Sequence, residues 1–336
     1  MSHTFPRTQI IPVARIENRS GFNVHSDPSI QILRTGRFIL EDRVATGAAP
    51  KSFLRVYDRG GPNRAKPSRW PAYIAKVGNK WYPNESITEH FLTRLGQAIG
   101  LRIADSRLMW VRGQLRFLSR FFLEQAQSLV HGAEIFSRHV GDEDFVREVE
   151  ENNASRDIFT FQVVEQAVAE SFPEQAEDII RDFTRLLGFD ALIGNNDRHF
   201  YNWGVVTDVT GSLTPRFSPI FDTARALFWN TPESRLQDSE ERKQVRQFIT
   251  NYVVKCSPKT GWDGRHKMTH FDLVEAICQE RPELGPILQE LGGFDIVQIA
   301  NTLMDGEFCN LFSERRRNFV VSCLEKRLEE YRKSVF

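Results

Sequence analysis

The sequence predicts an α+β protein of two lobes, a small β-rich lobe that carries one helix and a larger lobe that is mainly helical. Its 336 residues suffice for about two domains. Strand-like apolar runs are concentrated in residues 36–122, and apolar residues then recur at spacings of three and four through much of the remainder. We therefore expect an N-terminal extension over residues 1–35, the small lobe over 36–122 and the large lobe over 123–336.

The composition argues against several classes of protein. Hydrophobic residues make up 40% of the chain and charged residues 26%, which is typical of a globular protein. Lys plus Arg and Asp plus Glu each total 44, so the zero formal charge gives no overall field for binding nucleic acid or an anionic membrane. No apolar run approaches the roughly 20 residues of a membrane span. The first residues lack the apolar centre of a secretory signal, so we expect a cytoplasmic protein.

The cysteine and histidine spacings do not indicate a zinc site. Cys256, Cys278, Cys309 and Cys323 match neither a paired-ligand pattern nor a dense disulfide framework, and we interpret them as reduced core thiols. His266 and His270 have the i, i+4 spacing of two ligands on a helix, but no third ligand is evident. We expect no structural zinc.

The small lobe is predicted from four apolar runs and one helix. Strands are expected in RFILE, KSFLRVYD and AYIAKV, and then in the pair RLMWV and LRFLSRFF, which the hairpin residues Arg112, Gly113 and Gln114 separate. Between the third run and this pair, apolar residues recur at helical spacing from Glu85 to Ile99, and Gly100 supplies a stop.

The large lobe begins where the periodicity changes. Apolar stripes predict helices over residues 158–169 and 179–193, after which WGVVT and RFSPI predict two short strands. Further helices are expected near residues 271–279, 294–304 and 318–333. The charged stretch 230–246 and the run Arg315, Arg316 and Arg317 are interpreted as solvated surfaces rather than nucleic-acid contacts.

The segment Gly194–Gly204, GNNDRHFYNWG, places Asp197 and Asn202 between an apolar helix and a strand. A capped helix end is the simpler interpretation, with Gly194 as the stop and the following Asn and Asp side chains forming turns. Asp222 favours a second interpretation, because it follows the predicted hairpin in PIFDTARA. Two acidic groups and an amide would then face one cavity.

Such a group of side chains suits phosphoryl transfer. One carboxylate accepts the proton of the attacking hydroxyl, while an amide and a second carboxylate hold magnesium on the phosphates. Asp197 would be the base, and Asn202 and Asp222 the metal ligands. Carboxylate and amide oxygens suit Mg²⁺ and do not suit zinc.

Lys76 and Glu89 are candidates for the phosphate-binding pair of the small lobe. Lys76 lies among apolar residues of a predicted strand, where a buried ammonium needs an anion, and Glu89 lies on the helix that follows. Two alternatives stay open. Ser86 to Glu89 also has the form of a capping box, in which Glu89 would reach back to the helix start, and Lys76 could snorkel from an edge strand.

The small-residue segment VATGAAPKS, residues 44–52, would let backbone amides approach phosphate oxygens. It is not a Walker A motif. Lys51 follows Gly47 too closely for that pattern, and the residue before it is Pro50, which has no amide hydrogen.

These motifs resemble, in order, those of the HipA-like serine/threonine kinases, over a region from about Gly36 to the last helix. The resemblance implies a divergent, two-lobed protein-kinase-like fold that uses ATP and Mg²⁺. The family's loop is similar to TGAAPK, its ATP lysine to Lys76, and its helix to EHFLTRLGQAIGL. Its catalytic segment resembles NNDRHFYNW and its magnesium aspartate resembles Asp222. The implied ATP-binding residues are Thr46, Gly47, Ala48, Lys76, Glu89 and, at the adenine hinge, Ser119 and Phe121.

The resemblance also implies residue roles and partners. Asp197 is the implied base, His199 a catalytic neighbour that contacts the transferred phosphate or supports Asp197, and Asn202 and Asp222 the metal ligands. The implied reaction transfers the γ-phosphate of ATP to a serine or threonine hydroxyl of a protein, such as an aminoacyl-tRNA synthetase or another translation protein. The chain would be the toxin of a toxin-antitoxin pair, with its antitoxin in a separate chain.

The chain departs from the longer family members in two ways. An extension of 35 residues is too short for their additional N-terminal subdomain, which suggests a short form or a related secreted effector kinase that is delivered into a host cell. Val44 also stands where the longer proteins carry an autophosphorylated serine. DRHxxN is similar to the catalytic loop of phosphatidylinositol kinases too, so a lipid acceptor is one alternative. A pseudokinase that only binds nucleotide and a partner is another.

Overall fold

The structure is a computed structural model and describes residues 10–24, 27–41, 51–58, 60–61, 64–78, 80–142, 144–152, 154–208, 210–265 and 267–336. The predicted residues Val44, Thr46, Gly47, Ala48 and His266 lie outside these ranges. In the described part of the chain, no helix has both the length and the apolar character that a membrane span requires.

The small lobe is an antiparallel five-stranded sheet with the order β1-β2-β3-β5-β4. Its strands are β1 (Phe38–Glu41), β2 (Lys51–Val56), β3 (Ala72–Lys76), β4 (Ser106–Val111) and β5 (Gln114–Arg120). β4 and β5 form the predicted hairpin, paired from Val111 and Gln114 outward. The helix α1 (Asn84–Ala98) packs on these two strands, one residue from the predicted bounds at each end.

Two apolar clusters occupy the faces of this sheet. One consists of residues from β2 to β5 together with Ile11 and Leu33, so the described part of the extension covers that face. The other includes the buried face of α1 and continues without interruption into the large lobe. Phe91 of α1 packs edge to face against Phe308 and Phe312 of the large lobe, with ring centroids 5.3 and 6.0 Å apart. The helix is therefore fixed against both lobes.

The large lobe combines a three-stranded antiparallel sheet with eleven helices in the described residues. The sheet has the order β6-β7-β8, and its strands are β6 (Gln127–His131), β7 (Gly204–Asp208) and β8 (Arg216–Phe217). The helices are α2 (Gly132–Val140), α3 (Phe145–Glu151), α4 (Ser155–Ile158), α5 (Phe161–Ser171), α6 (Ala176–Ile193), α7 (Glu233–Glu241), α8 (Val245–Lys255), α9 (His270–Glu280), α10 (Gly285–Gly293), α11 (Ile296–Asp305) and α12 (Glu314–Val335).

The long helices α6 and α12 form the centre of the large lobe, and they pack against each other, α9 and α10. Their apolar stripes were clear in the sequence. The stripe predicted over residues 158–169 is divided between α4 and α5, because the chain leaves the helical conformation at Phe159, and Thr160 then caps α5 with its hydroxyl. The sequence analysis did not find β6, α2, α3, α8 or α10.

Two predictions about burial were wrong, one for Arg316, which was predicted to be solvated, and one for Cys309, which was predicted to be a core thiol. Arg316 is 1% exposed and lies on the buried face of α12, where Nε donates to Glu233 at 2.6 Å and Nη1 to the Phe228 carbonyl at 3.0 Å. Helical spacing places it on the same stripe as Phe319 and Val320, which a reading of the local charge run overlooked. Cys309 is exposed, whereas Cys256 and Cys323 are buried thiols as predicted.

Candidate active site

The loop that carries Asp197 starts where α6 ends. Gly194 adopts φ +75°, and its N–H donates to the Asp190 carbonyl at 2.8 Å. A side chain here would be strained, and its Cβ would also lie 2.9 Å from Cζ of Arg327. Asn195 then donates to Asp190 at 3.0 Å and accepts from the Asp197 N–H at 3.2 Å. The capped helix end proposed as the simpler interpretation is present, and it fixes the backbone of Asp197.

Asp197 and Asn202 are held close together by one short loop. The Asn202 side-chain nitrogen donates to the Asp197 carbonyl at 2.9 Å and lies 3.1 Å from Nε2 of His199. Because the nitrogen makes these contacts, the side-chain oxygen of Asn202 is the end that is suited to a cation. The Asp197 side chain is 38% exposed, so it is open to a substrate.

His199 lies beside these two residues. Its Nδ1 is 3.3 Å from the backbone nitrogen of Tyr201 and 3.8 Å from Oε1 of Glu150, and its side chain is 31% exposed. These contacts place the imidazole ring next to Asn202, and part of the ring is exposed to solvent.

Lys76 contacts two carboxylates that come from different parts of the chain. Its Nζ lies 3.0 Å from Oε1 of Glu89 on α1 and 2.6 Å from Oδ1 of Asp222 in the loop after β8. Lys76 and Glu89 are both largely buried, so the two alternatives of the sequence analysis are wrong. Glu89 faces β3 rather than the start of α1, and Lys76 does not extend into solvent.

The charges of this triad shift the pKa of each member. Burial alone would raise the pKa of Asp222, but the adjacent Lys76 ammonium lowers it to about 2. Burial raises the pKa of Glu89 to about 7 against the opposing charge of Lys76. Burial would lower the pKa of Lys76, yet Asp222 and Glu89 raise it above its ordinary value. Asp222 is therefore an ionised carboxylate at neutral pH, as a metal ligand must be.

The loop after β8 presents Asp222 in an uncommon conformation. Asp222 has φ +58°, and Leu227 and Phe228 in the same loop also have positive φ values. Non-glycine residues seldom adopt this region, and such residues are concentrated at functional sites. This backbone conformation presents the Asp222 carboxylate to Lys76.

Arg198 joins the two acidic loops. It is 2% exposed, and its Nη1 donates to the Asn202 carbonyl at 2.8 Å and to the Phe221 carbonyl at 2.5 Å. Phe221 immediately precedes Asp222, so one guanidinium holds the backbone of both candidate metal ligands. The sequence analysis did not assign this role to Arg198, and only its place between Asp197 and Asn202 pointed to it.

Arg225 spans the space between the lobes at the same site. Its Nε is 3.8 Å from Oδ2 of Asp197 and 3.7 Å from Oε1 of Glu85 on α1, and its guanidinium lies 4.1 Å from the ring centroid of Trp229. The sequence analysis did not identify this residue. It links Asp197 to the helix that carries Glu89.

Lys51 is a second residue that the sequence analysis did not assign to the site. It lies opposite Lys76 in the β2–β3 ladder, so both side chains leave the same face of the sheet. Burial lowers the pKa of Lys51, with Asp222 opposing and Lys76 adding to that shift. Its position near the end of the small-residue segment could have indicated this role, but the sequence analysis considered Lys51 only as part of a Walker A pattern.

The predicted hinge residues belong to the sheet. Ser119 is paired with Ile74 of β3, and the N–H of Phe121 donates to the Ala72 carbonyl at 2.9 Å. The ring of Phe121 packs edge to face on Phe53. Since the Phe121 N–H is engaged in the sheet, a backbone donor for adenine would have to come from the residues that follow it.

The oxygen donors present suit Mg²⁺ bound together with a phosphorylated ligand. Asp222 offers a carboxylate and Asn202 an amide oxygen, and Mg²⁺ commonly takes its remaining ligands from phosphate and water. The described residues contain no group of three or more His, Cys, Asp or Glu side chains that would hold a metal by themselves. The donor set therefore fits a metal that takes its remaining ligands from a nucleotide and water.

Comparisons with known proteins identify the family and the fold. The HipA-like C-terminal domain family matches residues 44–280. A crystal structure of the Helicobacter pylori proinflammatory kinase CtkA is similar with a TM-score of 0.66 and 15% identity, covering 91% of this chain and 98% of that one.

A second solved structure, the Shewanella oneidensis MR-1 HipA in complex with HipB and operator DNA, has a TM-score of 0.49 and 13% identity over 98% of this chain and 74% of that one. Comparison with curated sequences gave no significant match. The family match spans most of the chain, including Lys76, Asp197, Asn202 and Asp222. The chain thus belongs to the HipA-like kinase family, and its fold is the two-lobed fold of a kinase.

Proposed function

We propose that the chain is an ATP- and Mg²⁺-dependent kinase that phosphorylates a serine or threonine hydroxyl of a protein. The observation that carries this proposal is the pair of contacts made by Lys76, 3.0 Å from Glu89 and 2.6 Å from Asp222. A buried lysine between a helix carboxylate and a metal-binding aspartate is what a kinase needs to orient the phosphates of ATP. Family membership supports the same reaction.

Each residue of the site has a role in this proposal. Asp197, half-exposed and fixed at its backbone by Asn195, accepts the proton of the attacking hydroxyl. The oxygens of Asn202 and Asp222 would hold Mg²⁺, which neutralises charge that develops on the transferred phosphoryl group. Lys76 contacts the nucleotide phosphates, and Lys51 on the neighbouring strand adds positive charge to the same face.

The proton-accepting role is tested by Asp197→Ala. Loss of a positioned base costs about 10²- to 10⁴-fold in rate, so transfer of labelled phosphate from ATP to protein should nearly disappear. Asp238→Ala, a change of an exposed aspartate on α7, is the matched control and should transfer at the wild-type rate. Equal rates for wild type and Asp197→Ala would refute the proposal.

The acceptor is tested separately from the reaction. We propose a protein acceptor, supported by family membership, with an inositol lipid as the alternative. Lysate proteins that gain phosphate with the wild-type chain, and not with Asp197→Ala, would identify the substrate by mass spectrometry. Labelled phosphate that enters phosphatidylinositol vesicles and no protein would favour the lipid instead, and nucleotide binding without any turnover would favour a pseudokinase.

The partners follow from the family as proposals of the same kind. A HipA-like kinase would act on a translation protein such as an aminoacyl-tRNA synthetase, and a separate antitoxin chain would neutralise it. Co-expression offers the direct test of the antitoxin: a neighbouring gene product that binds the chain and restores growth supports this proposal, and growth arrest that no binding partner relieves opposes it.

A further inference from the structure

A second cleft of about 560 Å³ lies in the large lobe, away from the site of Lys76 and Asp197. It is formed by the first half of α6, by β7 and β8 with the turn between them, and by Arg102 from the segment after α1. Four arginines and two aspartates are its charged residues: Arg102, Arg181, Arg185, Arg216, Asp178 and Asp182. None of them takes part in the proposed phosphoryl transfer.

The positive charge of the cleft is incompletely balanced. Asp182 accepts from Arg102 at 3.0 Å and from Arg185 at 2.6 Å, so one carboxylate serves two guanidiniums. Within the described residues, Arg181 and Arg216 make no ion pair or side-chain hydrogen bond. The net charge of the lining is therefore positive, and its unpaired guanidiniums are suited to carboxylates or phosphates of a ligand.

The arginines are close enough to repel one another. Burial lowers the pKa of Arg102, and the charges of Arg216 and Arg185 lower it further, against the opposing effect of Asp182. Arg102 cannot move away easily, because its Nη2 also donates to the Phe217 carbonyl at 2.5 Å. An anion bound beside Arg216 would relieve this repulsion.

The cleft borders an edge strand and an apolar turn, two features that an extended chain can contact. Within the described residues β8 pairs only with β7 and is an edge strand of its sheet, and Arg102 engages the Phe217 carbonyl of this strand. Beside it, apolar side chains of the β7–β8 turn form part of the wall, including Leu213, which is 52% exposed, and Pro215. A ligand that fits both features carries acidic and apolar side chains on one extended backbone. A continuous polyphosphate would leave the apolar wall without a partner.

We propose that this cleft binds an acidic, extended segment of the protein substrate, with Arg216 and Arg181 as the main contacts to its carboxylates. That the bound segment belongs to a substrate rests on the proposed kinase function. That the cleft binds an acidic segment rests only on its own residues. The cleft also adjoins the segment that leads to Asp222, because the N–H of Ile220 donates to the Arg102 carbonyl at 2.8 Å. A docked substrate would thus lie against the strand that supports the active-site loop.

The test measures binding directly by fluorescence anisotropy. The probes are a labelled short peptide of alternating glutamate and leucine and a matched peptide with glutamine in place of glutamate. The wild-type chain should bind the glutamate peptide more tightly, and Arg216→Glu should weaken that binding by about 10-fold or more, Arg216→Gln by less. Arg181→Glu should act in the same direction. Arg246→Glu, at an exposed arginine of α8, is the control and should leave the affinity unchanged.

Three outcomes would overturn the proposal. The first is equal affinity of the wild-type chain for the glutamate and glutamine peptides. The second is an equal loss of affinity for the glutamate peptide in Arg216→Glu and Arg246→Glu. The third is binding of a labelled oligothymidine that is tighter than peptide binding and is abolished by Arg216→Glu, which would assign the cleft to nucleic acid. A urea unfolding curve for each variant establishes that it is folded. The binding measurement needs no turnover. A negative binding result would therefore not affect the conclusion from Asp197→Ala, and a negative result for Asp197→Ala would not affect the conclusion about binding.

Discussion

Arg198 and Asp190 form a bidentate ion pair that is buried inside the large lobe. Nε of Arg198 donates to Oδ2 of Asp190 at 2.8 Å and Nη2 donates to Oδ1 at 3.0 Å, while the side chains are 2% and 1% exposed. The pair connects the last turn of α6 to the loop that carries Asp197. The same guanidinium holds the backbone beside Asp222, so this ion pair supports both acidic loops.

Asp190→Asn should therefore be strongly destabilising. Removing one partner of a buried ion pair leaves the other charge uncompensated and costs roughly 3 to 5 kcal/mol. Urea unfolding of the variant measures the loss. Asp144→Asn breaks the exposed pair with Arg147, whose side chains are 63% and 61% exposed, and should cost less than about 1 kcal/mol. Similar losses for the two variants would contradict the structural role of Asp190.

Lys76→Met should remove most phosphoryl transfer, and a urea unfolding curve establishes that the variant is folded. The substitution keeps the length of the side chain but leaves Glu89 and Asp222 without their shared cation, and a nucleotide loses a charged contact that is worth roughly 10²-fold or more in rate. Labelled-phosphate transfer at saturating ATP measures the effect. Lys80→Met, at an exposed lysine just after β3, is the matched control. Wild-type transfer by Lys76→Met would exclude Lys76 from the reaction.

Asp222→Asn should raise the Mg²⁺ concentration that nucleotide binding requires. The carboxylate is ionised at neutral pH because the pKa of Asp222 is about 2, and the amide of the variant is a weaker ligand for a hard cation. Calorimetric titration with ATP at increasing Mg²⁺ reports the change, and Asn202→Ala should shift the same curve in the same direction. If both variants keep the Mg²⁺ dependence of the wild type, the metal is held elsewhere.

Glu89 should make the stability of the protein depend on pH in a defined window. Burial raises its pKa from the ordinary 4.5 to about 7, so between these values the folded chain keeps a proton that the unfolded chain has lost. The wild type should then lose stability relative to Glu89→Gln as the pH rises through this window. Urea unfolding at about pH 5 and about pH 8 measures the difference.

The outcome for Glu89 is separable from that for Asp222. The lowered pKa of Asp222 contributes stability that is lost only as the pH falls from 3.8 towards about 2, below the window of Glu89. Glu148→Gln, at an exposed position of α3, controls for surface carboxylates. A gap between wild type and Glu89→Gln that stays constant from about pH 5 to about pH 8 would show that Glu89 is not a perturbed carboxyl group.

Local patterns predicted the elements that are long or strongly periodic. The apolar stripes of α1, α6 and α12 and the hairpin of β4 and β5 follow from spacing alone, because each element buries one face against the rest of the protein. Short elements such as α3 and β6 carry too few apolar positions for a clear period. Arg316 was predicted to be solvated and is buried. A charged side chain can be buried when a partner such as Glu233 comes from a helix that is distant in sequence.

The sequence by itself determined the two-lobed organisation and the family, and it singled out Lys76, Glu89, Asp197, Asn202 and Asp222 as candidate site residues, because residue types in a fixed order carry that information. Only the tertiary structure decided that Lys76 contacts Glu89 and Asp222 together, that Arg198 and Arg225 connect the loops around them, and that Lys51 faces the same charges. These relationships join residues as much as 146 positions apart. No local pattern encodes them, since they arise from how the sheet, α1 and the large lobe pack on one another.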